Sequence, residues 1–294
     1  MTAAAPAAAG LDEGAASTAH AVLRRAGRSL LTIVIAVAVL GVLWTALLKL
    51  FDVSAFVGKS PLDVWQYLFS DAPARGVRPT SLSAAAARAA SFGALATTLV
   101  NAAIGFVSGM VIATAIAIGF VLWKPFELAF LPIAMLLRSV PLVAMAPLIL
   151  LIFGHTKVAI TLVGTIVVLF PALINIVLGL RSTTPEMLDV IRVNGGGKVA
   201  TLLRVQIPSA LPNIFAAIRI SVPGAIVGAM LGEWISGFDG FGGLIATAHG
   251  LGHSTEVWAL AFLGVVMSIV LYAIVTVIET ATLAAWGPHA GAQS

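Results

Sequence analysis

KVAITLVGTIVVLFPALINIVLGLRSTTPEMLDVIRVNGGGKVATLLRVQIP, residues 157–208, decides the fold. After Lys157, the stretch 158–180 carries no charge, and as a helix it is long enough to cross about 30 Å of hydrocarbon. At Arg181 the chemistry changes abruptly. Arg181, Glu186, Asp189, Arg192, Lys198 and Arg204 fall within the next 24 positions, between this apolar run and a later one at 210–236. Alternation on that scale is how a chain reads when it leaves a bilayer and returns to it.

The whole sequence agrees. Of 294 residues, 60% are hydrophobic and 10% charged, against about 25% charged in an ordinary soluble domain. Mean hydropathy is +1.08. So few charges cannot cover a water-soluble globule of this size, which excludes soluble enzymes and DNA-binding domains as readings of the whole chain. The net charge of +4 is not a nucleic-acid footprint, because the basic residues sit in short segments between apolar runs. There is no cysteine, so disulfides, iron–sulfur clusters and thiolate metal sites are absent.

Working outward, apolar runs at 29–50, 95–123, 126–153, 157–180, 210–236 and 257–286 predict an all-α integral membrane protein of about six transmembrane helices. Residues 1–28 read as a disordered cytoplasmic tail, Ala-rich and poor in large apolar side chains. Arg24, Arg25 and Arg28 precede the first run in the order of a signal peptide. That run is about 20 residues long and no small-residue cleavage site follows, so an uncleaved span is expected. Residues 51–94 read as an extramembrane connection, helical around Pro61–Phe69 and again through the Ala run 84–90. Residues 95–286 form the core domain, and 287–294 a second cytoplasmic tail. With the amino terminus inside, inward loops hold Lys124, Arg181, Arg192, Lys198 and Arg204, and short outward loops hold His155, Lys157, Asp239, His253 and Glu256. The positive-inside bias places both termini in the cytoplasm. Pro132, Pro141 and Pro147 are expected to interrupt the third span, Pro171 the fourth and Pro223 the fifth. Gly224, Gly228 and Gly232 form small-xxx-small steps, a close helix contact either inside one subunit or between two.

Within the loop 181–208, Thr184 suits a helix cap, Pro185 a first position, and Glu186 and Asp189 the positive end. Met187, Leu188 and Ile191 fall on one stripe; Glu186, Asp189 and Arg192 lie on another arc. Asn194 and three glycines break that helix, and Lys198–Gln206 predicts a second, ended by Pro208. Helices of about nine residues are marginal in water and need a surface to pack on, either headgroups, their own bundle or a soluble partner. Gly195-Gly196-Gly197-Lys198 is not a phosphate loop. A P-loop needs glycine where Arg192 stands and Ser or Thr where Val199 stands.

This loop resembles the EAA loop of bacterial ABC importer permeases: EAA, three residues, Gly, nine residues, Ile-x-Leu-Pro. Asp189-Val190-Ile191 occupy the EAA places, Gly195 is in register, and Val205-Gln206-Ile207-Pro208 close it at the family spacing; Asp replaces Glu, and Val and Ile replace the alanines. LLRSVPLVAMAPLILLIFGHTKVAI (136–160) is similar to the third-span signature of the sulfonate, taurine and nitrate branch. Thr98-Leu99, Gly105-Phe106, 217–233 and Gly240–Ile245 resemble further parts of that core, so the likeness covers 95–286. It implies a type I ABC importer permease fold with a cytoplasmic coupling helix, in a bacterial inner membrane. Pro185, Glu186, Asp189, Ile191, Gly195, Lys198 and Pro208 would make the contact with the ATPase. It also implies partners: two copies of a cytoplasmic ABC ATPase that binds ATP and Mg, a second permease subunit (a homodimer is the simplest supply), and an extracytoplasmic solute-binding protein. This chain would hold no cofactor. Its solute would be small and polar or anionic, such as a sulfonate, taurine or nitrate.

Candidate pathway residues are the charges inside spans, Arg138, Arg219 and Glu233, with Ser139 and Pro141 beside the first. A charge at mid-bilayer faces a partner or a water-filled cavity. Each arginine has a plainer reading as a snorkelling side chain or a structural ion pair. Glu233 is expected near the outer end with Trp234 as an interfacial anchor, and Asn101, Asn175 and Ser221 are lesser candidates. His249 and His253 have metal-compatible spacing but no HExxH context, so no metal is expected. An ion-coupled carrier or a membrane enzyme is the competing reading. The first should show inverted repeats and more intramembrane carboxylates, the second clustered His, Asp or Glu at one face, and neither is visible.

Overall fold

The computed structural model describes residues 31–32, 34–36, 38–74, 76–79, 82–237 and 239–285. The two tails expected at 1–28 and 287–294 lie outside them. Among the described residues all regular structure is helical. The chain divides into two compact units, residues 1–54 and 55–294. The first holds α1 (Val34–Leu50), an apolar helix in which the Thr45 hydroxyl donates to the Gly41 carbonyl at 2.8 Å.

The second unit opens with α2 (Pro61–Phe69). Ser60 and Asp63 form a reciprocal capping box at its start, and proline stands in its first turn. Then α3 runs unbroken from Ala84 to Leu122. The connection expected over 51–94 therefore ends at Ser83, whose hydroxyl accepts the Ala86 amide at 3.1 Å. An N-cap followed by an alanine run starts a helix before the hydropathy rises.

The run at 126–153 is two helices, α4 (Lys124–Ser139) and α5 (Leu142–Phe153), bent by 102° at the break. Pro141 explains the corner: it lacks an N–H and pushes Val140 out of the helical region, to φ −75°, ψ 125°. Pro132 and Pro147, also expected to interrupt, lie inside α4 and α5. Helix α6 (Lys157–Leu180) passes through Pro171 without a break. Beyond α7 (Pro185–Val193), α8 (Lys198–Thr201) enters a π-helical turn at Leu202–Gln206 and continues as α9 (Ile207–Ser236). Lys198–Ser236 is thus a single 39-residue rod. Pro208 does not end a helix, and Pro223 does not interrupt one. The wider turn just before Pro208, where the Ile207 amide donates to the Leu202 carbonyl, relieves the ring's clash with the preceding turn. α10 (Phe241–Gly250) and α11 (Ser254–Ala285) complete the unit.

Four helices are long and apolar enough to cross a membrane, and the α4–α5 pair is a fifth candidate, broken by its bend. With α1, six apolar runs remain; the second, fifth and sixth start earlier than expected and the third is broken by its bend.

The centre of the second unit is where α3, α6 and α9 meet, built largely from small residues: Ala113, Ala117, Ala172, Ala210, Ala217, Ala225 and Ala229 are all buried. A Cβ on Gly228 would stand 2.9 Å from the Gly164 Cα, and one on Gly105 would stand 3.1 Å from it. Gly224 and Gly232 face Val167 and Ile160 of the same helix α6. The small-xxx-small steps are therefore an internal contact of one subunit. Gly228→Val should cost about 1–3 kcal/mol by overpacking against backbone that cannot move aside. A lowered melting temperature and reduced monodisperse yield in detergent are expected, whereas Gly93→Ala, which meets nothing within 4 Å, leaves both unchanged.

Candidate coupling loop and intramembrane polar sites

The loop after α6 is built as a short helix on a fixed base. α7 starts at Pro185 behind Thr184 and stops at Asn194, with no residue buried. The Thr184 hydroxyl does not cap the backbone. Glu186's own amide, with the Thr184 hydroxyl second, holds the Glu186 carboxyl below the usual range. Asp189 pairs with Arg192 at 3.2 Å, on the exposed side. Of the expected stripe, Leu188 and Ile191 are half-covered, Ile191 lying over Gly196, while Met187 is exposed with Val190 and Val193.

Gly195 takes φ +76°, a conformation open to glycine at little cost. Its amide bonds the Arg192 carbonyl at 2.9 Å and the Gly196 amide bonds Ile191 at 2.8 Å, closing α7 with a left-handed turn. Lys198 Nζ reaches the Leu122 carbonyl at the end of α3, at 3.4 Å. At the loop's other root, Arg181 bonds Glu127 of α4 at 2.6 Å, and Lys124 bonds the same carboxylate at 2.9 Å. Glu127 is 3% exposed. Both roots of the loop are thus tied to the α3–α4 corner.

Arg138 lies on α4 and makes no ion pair among the described residues. It lines a cavity of about 200 Å³ with Phe120, Leu131, Phe170, Leu173 and Arg181. Ser139 turns its hydroxyl back to the Leu136 carbonyl at 2.7 Å, and Pro141 sits at the bend. Arg219 takes the ion-pair alternative: it meets Glu279 of α11 at 3.0 Å and lies over the Tyr272 ring.

Glu233 stands in the last turn of α9. It is fully buried, accepting hydrogen bonds from Thr98 Oγ1 at 2.8 Å, Asn101 Nδ2 at 2.8 Å and the Gly242 amide at 3.1 Å. The Phe241 amide donates to Thr98 in turn, at 2.8 Å. The carboxylate therefore caps α10 while bridging α3 and α9. Gly242 is required here, because a Cβ would run into the Met230 carbonyl. Trp234 is exposed. Asn175 bonds the Pro171 carbonyl and Ser221 is buried without a partner. His253 lies 3.4 Å from Glu256, and no cluster of three metal-binding side chains occurs among the described residues.

Sequence reasoning missed Glu127 and Glu279. Each is a lone carboxylate near the end of an apolar run, the same signal that singled out Glu233, and each has an arginine partner more than 50 positions away.

The sequence profile of the family described as the binding-protein-dependent transport system inner membrane component matches residues 105–282. The chain belongs to that family. Among curated members similar to this transport component are the riboflavin transport system permease protein RibX of Chloroflexus aurantiacus, 34% identical over 52% of this chain and 57% of the relative; the putative aliphatic sulfonates transport permease protein SsuC of Bacillus subtilis, 32% identical over 57% and 61%; and the nitrate import permease protein NrtB of Leptolyngbya laminosa, 26% identical over 60% and 63%. The chain spans about six-tenths of the length of these relatives.

Two outcomes test the site. Glu233→Ala leaves Thr98, Asn101 and the Gly242 amide unsatisfied, at about 1–3 kcal/mol for each donor stranded away from water; α10 amides should exchange faster with deuterium and the melting temperature should fall. For Glu186, the folded carboxyl is depressed, so its contribution is full above the ordinary carboxylate range and lost as pH falls through the folded value. Exchange at the first turn of α7 should therefore rise only at acid pH, and Glu186→Gln should remove that dependence.

Proposed function

We propose that this chain is the membrane permease subunit of an ATP-driven importer, working with a second permease subunit in a homodimer. Two copies of a cytoplasmic ABC ATPase supply the energy, binding ATP and Mg, and an extracytoplasmic binding protein delivers the solute. The chain sits in the bacterial inner membrane with both termini cytoplasmic. It performs transport and no chemistry of its own.

One observation carries the reading. α7 projects Met187, Val190 and Val193 into the open from a nine-residue helix in which no residue is buried. A helix so short does not persist in water on its own propensity, and a soluble partner's groove supplies what it lacks. Glu186, Asp189, Ile191 and Gly195 shape that contact; Lys198, Pro185 and Pro208 set its base. The names of the similar permeases, which include sulfonate and nitrate systems, support the transport class. For the solute, the support is Arg138. An exposed guanidinium without an ion-pair partner among the described residues, beside an apolar cavity between α3, α4 and α6, favours an anionic group.

Gly195→Val forces a β-branched residue to φ +76° and redirects α7. In vesicles containing the full complex, solute uptake and solute-stimulated ATP hydrolysis should both be lost while membrane insertion is retained. Uptake at the original rate would remove the loop from the mechanism.

A further inference from the structure

The corner where α3 gives way to α4 gathers cations. Lys124 and Arg181 both bond one oxygen of Glu127, at 2.9 and 2.6 Å, and Lys198 Nζ lies 3.4 Å from the Leu122 carbonyl, two positions before Lys124. The carboxylate is sealed beneath them. Its side chain is 4% exposed, against 67% for Lys124 and 42% for Arg181, and Lys198 is exposed as well. A molecule approaching the corner therefore meets three cations and little of the one carboxylate that offsets them. An ammonium carries three N–H donors and a guanidinium five, so sharing one carboxylate oxygen leaves both Lys124 and Arg181 with donors to spare.

The level of this corner in the membrane follows from α6. Its 24 residues make a rod of about 36 Å, a hydrocarbon core of about 30 Å with a few ångströms at each end. Arg181 caps that rod, which puts it and its neighbour Lys124 at the edge of the apolar layer, among the headgroups. Trp123, the residue before Lys124, is exposed, as an interfacial tryptophan is. Its ring stacks on Phe126 at 6.0 Å and 3°, and Phe126 meets Phe130 at 4.6 Å. Phe126 is seated over Gly119, where a Cβ would stand 2.9 Å from its ring, while Phe130 is 49% exposed. Farther along α4, Leu131 and Arg138 share a cavity wall with Phe170 and Leu173 of α6, so α4 runs from the edge into the apolar layer. The three rings are thus a ladder that starts beside the cations and descends from them.

Cations at headgroup level above an apolar strip fit a lipid with an anionic headgroup. Basic groups between helices at a membrane face attract such headgroups. A zwitterionic headgroup brings an ammonium that three cations repel, and a soluble anion gains nothing from the ladder.

We propose that the α3–α4 corner binds an anionic phospholipid, its phosphate held by Lys124, Arg181 and Lys198, and the upper part of one acyl chain lying along Trp123, Phe126 and Phe130. Arg181 and Lys198 are also the two roots of the 181–208 loop, so the bound headgroup bridges them.

The test uses the full chain in phosphatidylcholine vesicles with increasing mole fractions of phosphatidylglycerol, brominated near the headgroup end of its acyl chains. Brominated phosphatidylcholine is the reference lipid. The signal is quenching of Trp123 fluorescence, taken as the difference between the unaltered chain and Trp123→Phe, which keeps a ring on the ladder. Half-maximal quenching is expected at a mole fraction about fivefold or more lower for phosphatidylglycerol. Lys124→Gln combined with Lys198→Gln should remove that preference, as should molar salt, which shortens the reach of charge to about 3 Å. Lys157→Gln, at the opposite end of α6, should leave it unchanged. Glycerol phosphate, a headgroup without a chain, should not relieve the quenching. Melting temperatures near that of the unaltered protein separate lost binding from lost folding. Equal quenching by the two lipids, a preference that survives the double substitution, or relief by glycerol phosphate overturns the proposal. Because the readout requires neither an ATPase nor transport, its failure leaves the importer reading untouched, and failure of that reading leaves this one standing.

Discussion

Close approach of three backbones, α3, α6 and α9, at Gly105, Gly164 and Gly228 is the constraint on which the second unit rests. In lipid, apolar surface has nothing to gain by leaving its surroundings, so helices associate through dispersion at short range, which small residues permit. The buried alanines of the same three helices extend the seam along their length. Glu233 depends on it directly. One residue past Gly232, it can reach Thr98 and Asn101 only because α9 and α3 both lie against α6 without bulky side chains between them. A carboxylate that deep would be costly if even one of its donors moved away. The glycines and the polar junction therefore support each other: the first sets the distance, and the second punishes any departure from it.

How much of this the sequence disclosed depended on whether the governing interaction was local. The bounds of α7 were readable because Pro185 and the Asn194–Gly195 pair act within one turn, and the positive φ at Gly195 is a property of that residue alone. Prolines were less legible. Pro141 turns the chain through 102° whereas Pro132, Pro171 and Pro223 are carried inside helices. Pro208 is a special case, since the π-helical turn before it absorbs the misfit, and nothing in LLRVQIP announces that. The start of α3 was hidden for another reason. Hydropathy rises at residue 95, but the cap at Ser83 had already begun the helix. Side-chain partners of Glu233, Arg181 and Arg219 lie 54 to 135 positions distant; composition marks such residues as costly without saying what they meet.

The ties around the loop give the importer reading its mechanical content. A load applied to α7 leaves through two roots. One is Arg181, whose guanidinium is held by Glu127 at the foot of α4; the other is Lys198, which reaches the end of α3 and starts the 39-residue rod that becomes α9. The α3–α4 corner thus receives both. α4 carries Arg138 three turns farther along, on the wall of the Arg138–Arg181 cavity, and bends away at Pro141. α9 reaches the Glu233 junction that holds α10 about 39 Å from Ile207. The loop is thus joined by one root to the helix that lines the cavity and by the other to the rod that reaches the opposite end of the bundle. At the first root, Glu127 gathers Lys124 and Arg181 on one carboxylate oxygen, so the end of α6 and the start of α4 share a single anchor.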